Sequence, residues 1–151
     1  MFGHLKGFRR IIVTGPHRSG TTIAAEIIAE DTGKRCIREE AFQQTNIIKA
    51  AKIQEGVIQG PYLLPWTPAL AGDETAVIYV LRDGKEIDAS VARLRVSKPL
   101  FHWSQAWALW QRIAPLLPHA ETIEYQALRG HRLWVENRKG WGHRQTRSPA
   151  S

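Results

Sequence analysis

The run Ile11-Ile12-Val13-Thr14-Gly15-Pro16-His17-Arg18-Ser19-Gly20-Thr21-Thr22 constrains the fold of this chain more than any other stretch. Three β-branched residues in a row read as a buried strand. Gly15-Pro16 closes it with a turn signal. Ile23 to Ala29 then reads as a buried helix that opens straight from the turn. Strand, glycine-bounded loop and helix, in that order, make the geometry of a phosphate-binding loop. Backbone N–H groups and the positive end of a helix converge there on an anion. The plainer alternative is a Gly/Ser turn that merely precedes a helix.

The spacing fits half of the Walker A pattern G-x-x-x-x-G-K-[ST]. Gly15 and Gly20 stand at the right separation and Thr22 occupies the hydroxyl position, but Thr21 replaces the lysine. Positive charge enters through Arg18, inside the loop.

The remaining elements follow from periodicity and breakers. The first strand is expected at about 10–14 and the first helix at about 20–31, ended by Gly33 in the left-handed cap. Arg35 to Arg38 reads as a short second strand with Glu39-Glu40 at its carboxyl end. Phe42 to Gln54 reads as a helix, Val57 to Gln59 as a third strand, and the proline-rich 60–68 as a loop or single helical turn. Ala76 to Leu81 is the strongest strand signal and is expected to be central and buried on both faces. A short helix is expected over Asp88–Leu94 and the longest one over Pro99–Leu117. Its aromatics recur at helical spacing, which assigns them to packing rather than to stacking on bases. Thr122 to Tyr125 reads as the last strand, and Leu128 to Trp134 as a last turn. Short buried strands alternating with helices imply an α/β fold of the P-loop type: three layers, α/β/α, around a mostly parallel sheet of four or five strands. Ligands of such sheets bind at the carboxyl ends of the strands.

The 151 residues, 43% of them apolar, fit a single domain spanning 1–151. No apolar run reaches the length of a membrane span. Met1 to Arg10 is basic but leads directly into a strand without an apolar region or cleavage site, so no signal peptide is expected. The single cysteine, Cys36, suits a reducing cytoplasm and reads as a half-buried strand residue rather than a nucleophile. The formal charge of +7 admits nucleic acid, an anionic surface or a polyanionic small ligand as partner. Much of it lies in residues 129–151, where a solvated, partly mobile end and a binding segment are both open readings.

A second turn repeats the logic of the first. Tyr79-Val80-Leu81-Arg82-Asp83-Gly84-Lys85-Glu86 runs from strand through a charged turn into a helix that carries Ser90. Arg82 at a strand end and Ser90 one helical turn beyond the break can converge on a phosphate, the guanidinium fork supplying paired charge-assisted bonds.

Two of these segments resemble the sulfotransferases that use 3′-phosphoadenosine 5′-phosphosulfate (PAPS). Pro16-His17-Arg18-Ser19-Gly20-Thr21-Thr22 is similar to their 5′-phosphosulfate loop, P-x-[KR]-S-G-T-T. Arg82, Asp83 and Ser90 match their 3′-phosphate motif, R-D-P-x-D-x-x-x-S, with Gly84 in place of proline. Arg138-Lys139-Gly140 resembles the R-K-G element that closes over the 3′-phosphate, and Glu124-Tyr125-Gln126-Ala127-Leu128 loosely resembles a Y-E-x-L segment. The resemblance implies a pared-down member of that family, with PAPS as co-substrate, no metal, and an acceptor hydroxyl or amine. Gly15 to Thr22 would hold the phosphosulfate, with Arg18 neutralising the leaving oxygen. Arg82, Ser90, Arg138, Lys139 and Gly140 would hold the 3′-phosphate. The general base is left open among Glu40 and its neighbour Glu39 first, His17 second and His102 third. Two other readings stand beside this one: a kinase or nucleoside triphosphatase with a degenerate loop, and a non-catalytic binding protein on the same fold, engaging nucleic acid through its basic tail.

Overall fold

Residues 1–94 and 102–134 are described by a computed structural model. Five strands, β1 (Arg10–Thr14), β2 (Cys36–Ile37), β3 (Gly56–Gln59), β4 (Thr75–Leu81) and β5 (Ala120–Glu124), form one sheet in the order β2-β3-β1-β4-β5. Every pairing is parallel. The order reverses across β1, whose two neighbours come from opposite arms of the sheet, so β1 marks the switch point at which ligands of such sheets bind. β1 is therefore the middle strand, and β4, expected to be central, lies beside it.

Strand side chains alternate between two cores. Ile11, Val13, Val57, Ile78 and Val80 face helix α1 (Thr21–Thr32), which buries Ile23, Ala24, Ile27 and Ile28 against them. Ile12, Ile58, Val77 and Tyr79 face the other way. There they meet Leu63 and Leu64 of a 3-10 turn (Pro61–Trp66) and Trp110 of helix α5 (Trp103–Ile113). The Trp110 ring stacks on Tyr79 at 5.2 Å, and its Nε1 donates to Thr122 Oγ1 at 2.8 Å, so its one polar atom is satisfied. That tryptophan is packing surface, as helical spacing predicts.

Several expected elements differ in their bounds. Phe42–Gln54 is not one helix but a 3-10 turn (Glu39–Phe42) followed by the short α2 (Ile47–Ala51). Gln43 and Gln44 take φ of 59° and 51°, left-handed values that stop a helix, and Asn46 caps the next one. A further short helix, α3 (Thr67–Leu70), follows the proline-rich turn. Helix α4 (Gly84–Leu94) starts four residues before the expected Asp88. Asp83 Oδ1 accepts from the backbone N–H groups of Lys85 and Glu86 and so caps it. Helix α5 begins at Trp103 behind a capping box on His102 and ends at Ile113, short of the expected Leu117, where a 3-10 turn (Ala114–Leu116) containing Pro115 takes over; the expected start, Pro99 to Phe101, lies outside the described residues.

Candidate functional site

The loop after β1 folds tightly over the carboxyl edge of the sheet. Thr14 Oγ1 donates to the Gly60 carbonyl at 2.9 Å and ties the ends of β1 and β3 together. Gly15 has φ of 151°, and a Cβ there would meet Ser19 Oγ at 2.9 Å and the Val80 carbonyl at 3.0 Å. Only glycine lets the loop lie this close to the end of β4. Gly20, at φ of 100°, is the N-cap of α1, and a Cβ on it would run into the Tyr125 ring. No side chain caps α1, so its first-turn N–H groups point into the space above the loop.

That space is an open cleft lined by Arg18, Gly20, Thr21, Thr22, Ile23, Arg82 and Tyr125. The two turns singled out from the sequence thus share one cleft. Arg18 takes φ of 65°, a left-handed value for a non-glycine residue. Its Nε donates to Ser90 Oγ at 3.2 Å, and its carbonyl accepts from Arg82 Nη1 at 2.8 Å. Arg82 also donates from Nε to Glu86 at 3.2 Å and lies over the Tyr125 ring at 4.1 Å. Ser90 is fully buried, its hydroxyl directed at Arg18. Gly15, Pro16 and Ser19 are buried beneath the loop and shape it. Ser19 Oγ has no partner among the described residues, a buried hydroxyl inside the glycine-bounded loop.

Thr21, in the Walker lysine position, is buried and accepts from Gln59 Nε2 at 2.9 Å. Gln59 Oε1 in turn accepts from the Glu39 N–H at 3.2 Å. One buried amide thus joins the end of β2 to the start of α1. Burial in the first place, and Glu40 beside it, push the Glu39 carboxyl from 4.5 up to about 7, against the pull of Arg38. Glu39 Oε2 is buried without a partner. Glu40, placed first among the candidate bases with Glu39, is exposed and pairs with Arg38 at 3.7 Å, in the ordinary position of a surface charge. His17 turns from the cleft lining to meet Tyr62 edge-on at 4.9 Å, and burial together with Arg18 lowers its pKa. His102 caps α5. Cys36 is half-buried, its thiol pushed up to about 12 chiefly by burial, which leaves it unreactive at neutral pH. Arg138, Lys139 and Gly140 lie outside the described residues.

Sequence reasoning passed over Gln59 and gave Tyr125 no role. Both carried a signal: a polar residue closing an apolar strand must find buried partners, and an aromatic just past the end of β5 stands at the same rim as the loop. Gly84, where the resembled motif has proline, has a packing cause, because a Cβ there would run into the Trp103 indole.

No family model and no curated protein sequence matches the chain. Solved structures similar to it include a shikimate kinase from Acinetobacter baumannii in complex with shikimate, with a TM-score of 0.52 at 12% identity over 97% of this chain and 94% of that one. The chain has a P-loop, kinase-like fold. At this identity the likeness extends to the fold alone. No helix among the described residues is long and apolar enough to cross a membrane.

Proposed function

We propose that the cleft binds a nucleotide-type donor by its phosphate end and that the protein transfers a sulfuryl group from PAPS to a hydroxyl or amine acceptor. The observation that carries this reading is the loop's cation. A nucleoside triphosphatase presents a lysine ammonium to the γ-phosphate. Here that position is a buried threonine held by Gln59, and the charge comes from Arg18, whose guanidinium is fixed by Ser90. Asp83, the aspartate of the second turn, uses an oxygen to cap α4.

PAPS supplies the sulfuryl group, and 3′,5′-ADP leaves as the acceptor takes it. Arg18 and the open N-terminus of α1 face the phosphate whose bridging oxygen gains charge, and a preorganised cation there stabilises that charge most at the transition state. Arg82 brings further positive charge to the same rim, toward the 3′-phosphate, while Ser90, buried beneath, holds Arg18 in place. Glu39, with its carboxyl near 7 and one oxygen unpartnered, receives the acceptor's proton in place of Glu40.

Phosphoryl transfer from a nucleoside triphosphate is the second reading, and the likeness to a shikimate kinase favours it. Incubation with PAPS, and separately with ATP and Mg²⁺, against a panel of hydroxyl and amine acceptors separates the two. Release of 3′,5′-ADP that depends on acceptor is expected. Release of ADP from ATP with none from PAPS would replace the first reading by the second.

A further inference from the structure

We propose that Arg82 is a positioning residue that sets the conformation of the loop before any ligand arrives, and not solely a contact for a second phosphate. The inference rests on the reading of the loop as the donor's anion site. Arg82 connects three elements at once. Nη1 holds the Arg18 carbonyl, which the left-handed backbone of Arg18 turns toward it. Nε holds Glu86 on α4, and the guanidinium face covers Tyr125 just past β5. Its side chain is only 8% exposed, so these bonds act with little competition from water. Tyr125 itself sits where a Cβ on Gly20 would be, so the ring backs the loop directly. A lysine would keep the charge, yet it has no planar fork to serve the carbonyl and the carboxylate while lying flat on a ring.

The test compares the full chain with its Arg82→Lys variant in two measurements. Amide exchange without ligand is followed over residues 14–22. Loss of a charged hydrogen bond predicts exchange about tenfold faster there, with the amides of β1 and β4 at their wild-type rates. Unchanged exchange over the loop overturns the proposal, and so does an acceleration spread through the core strands, which is loss of the fold in general. The milder Glu86→Gln variant, which weakens the Nε contact alone, is expected to speed the same segment to a smaller degree. Tyr125→Phe keeps the ring and is expected to leave loop exchange unaltered.

The second measurement is affinity for 3′,5′-ADP and for AMP, which lacks the 3′-phosphate. A residue that shapes the loop weakens AMP as well, about tenfold, and 3′,5′-ADP by at least that factor. A loss confined to 3′,5′-ADP overturns the proposal and makes Arg82 a ligand of the 3′-phosphate only. If wild-type protein binds neither nucleotide, the donor reading fails, and loop exchange still decides the role of Arg82.

Discussion

Arg18 holds a backbone conformation that costs an L-residue about 1–2 kcal/mol, and its neighbours on both sides of the loop keep it there. Strain maintained by its surroundings is what a functional position shows when the side chain is needed and the conformation is not its own preference. Arg18→Gly is therefore expected to be about 1 kcal/mol more stable than Arg18→Ala by urea unfolding, while both lose donor binding. Glu39 has the opposite character, a charge disfavoured by where it sits. Its carboxyl titrates near 7 in the folded protein and near 4.5 when exposed, so the folded state prefers the protonated form. That contribution to stability is complete below 4.5 and is lost as pH rises through about 7. A general base acts in its deprotonated form, so with Glu39 in that role kcat is expected to climb with pH, reach half its maximum near 7 and level off above that. Glu39→Gln is expected to lower kcat about 100-fold or more and remove that limb. The same variant is expected to unfold at higher temperature than wild type at pH 8, but not at pH 4. A flat pH–rate profile in the wild type would leave the base unassigned to Glu39.

Between elements, Gln59 carries more than its place on a four-residue strand suggests. Its amide satisfies Thr21 at the start of α1 and Glu39 at the end of β2, both at once. Gln59→Leu leaves those two polar groups without their partner, which predicts a loss of about 2 kcal/mol or more in chemical denaturation, together with weaker donor binding. A variant as stable as wild type would mean that water replaces the amide at no cost. The strands were legible because β-branched runs such as Ile11-Ile12-Val13 and Val77-Ile78 have few alternatives, and the loop was legible because its glycines and its helix follow in fixed order. Helix limits were less so. The break at Gln43-Gln44 rests on two left-handed glutamines, which no propensity marks, whereas a cap at Asp83 is readable from a charged turn that runs straight into a helix. At the site, Arg18, Arg82 and Ser90 were readable as a set, but that they bind one another was not, because hydrogen bonds across 64 and 72 residues of sequence leave no local trace. The choice between Glu39 and Glu40 depended on which carboxylate the 3-10 turn buries.

The described residues form a parallel sheet whose order reverses at β1, and the residues that line the cleft stand at the carboxyl edge beside that strand. Such an edge gathers loop amides, a helix N-terminus and two arginines from segments far apart in sequence, while the two cores beneath hold them at fixed positions. The same frame is found in the shikimate kinase it is similar to, so the sheet by itself selects no ligand. The most direct test is titration calorimetry of wild type and Arg18→Ala with 3′,5′-ADP and with ATP and Mg²⁺. Tighter binding of 3′,5′-ADP by the wild type, weakened at least about tenfold by Arg18→Ala, is the predicted result. Tighter binding of ATP with Mg²⁺, or affinity for 3′,5′-ADP that does not change when Arg18 is removed, would contradict the account.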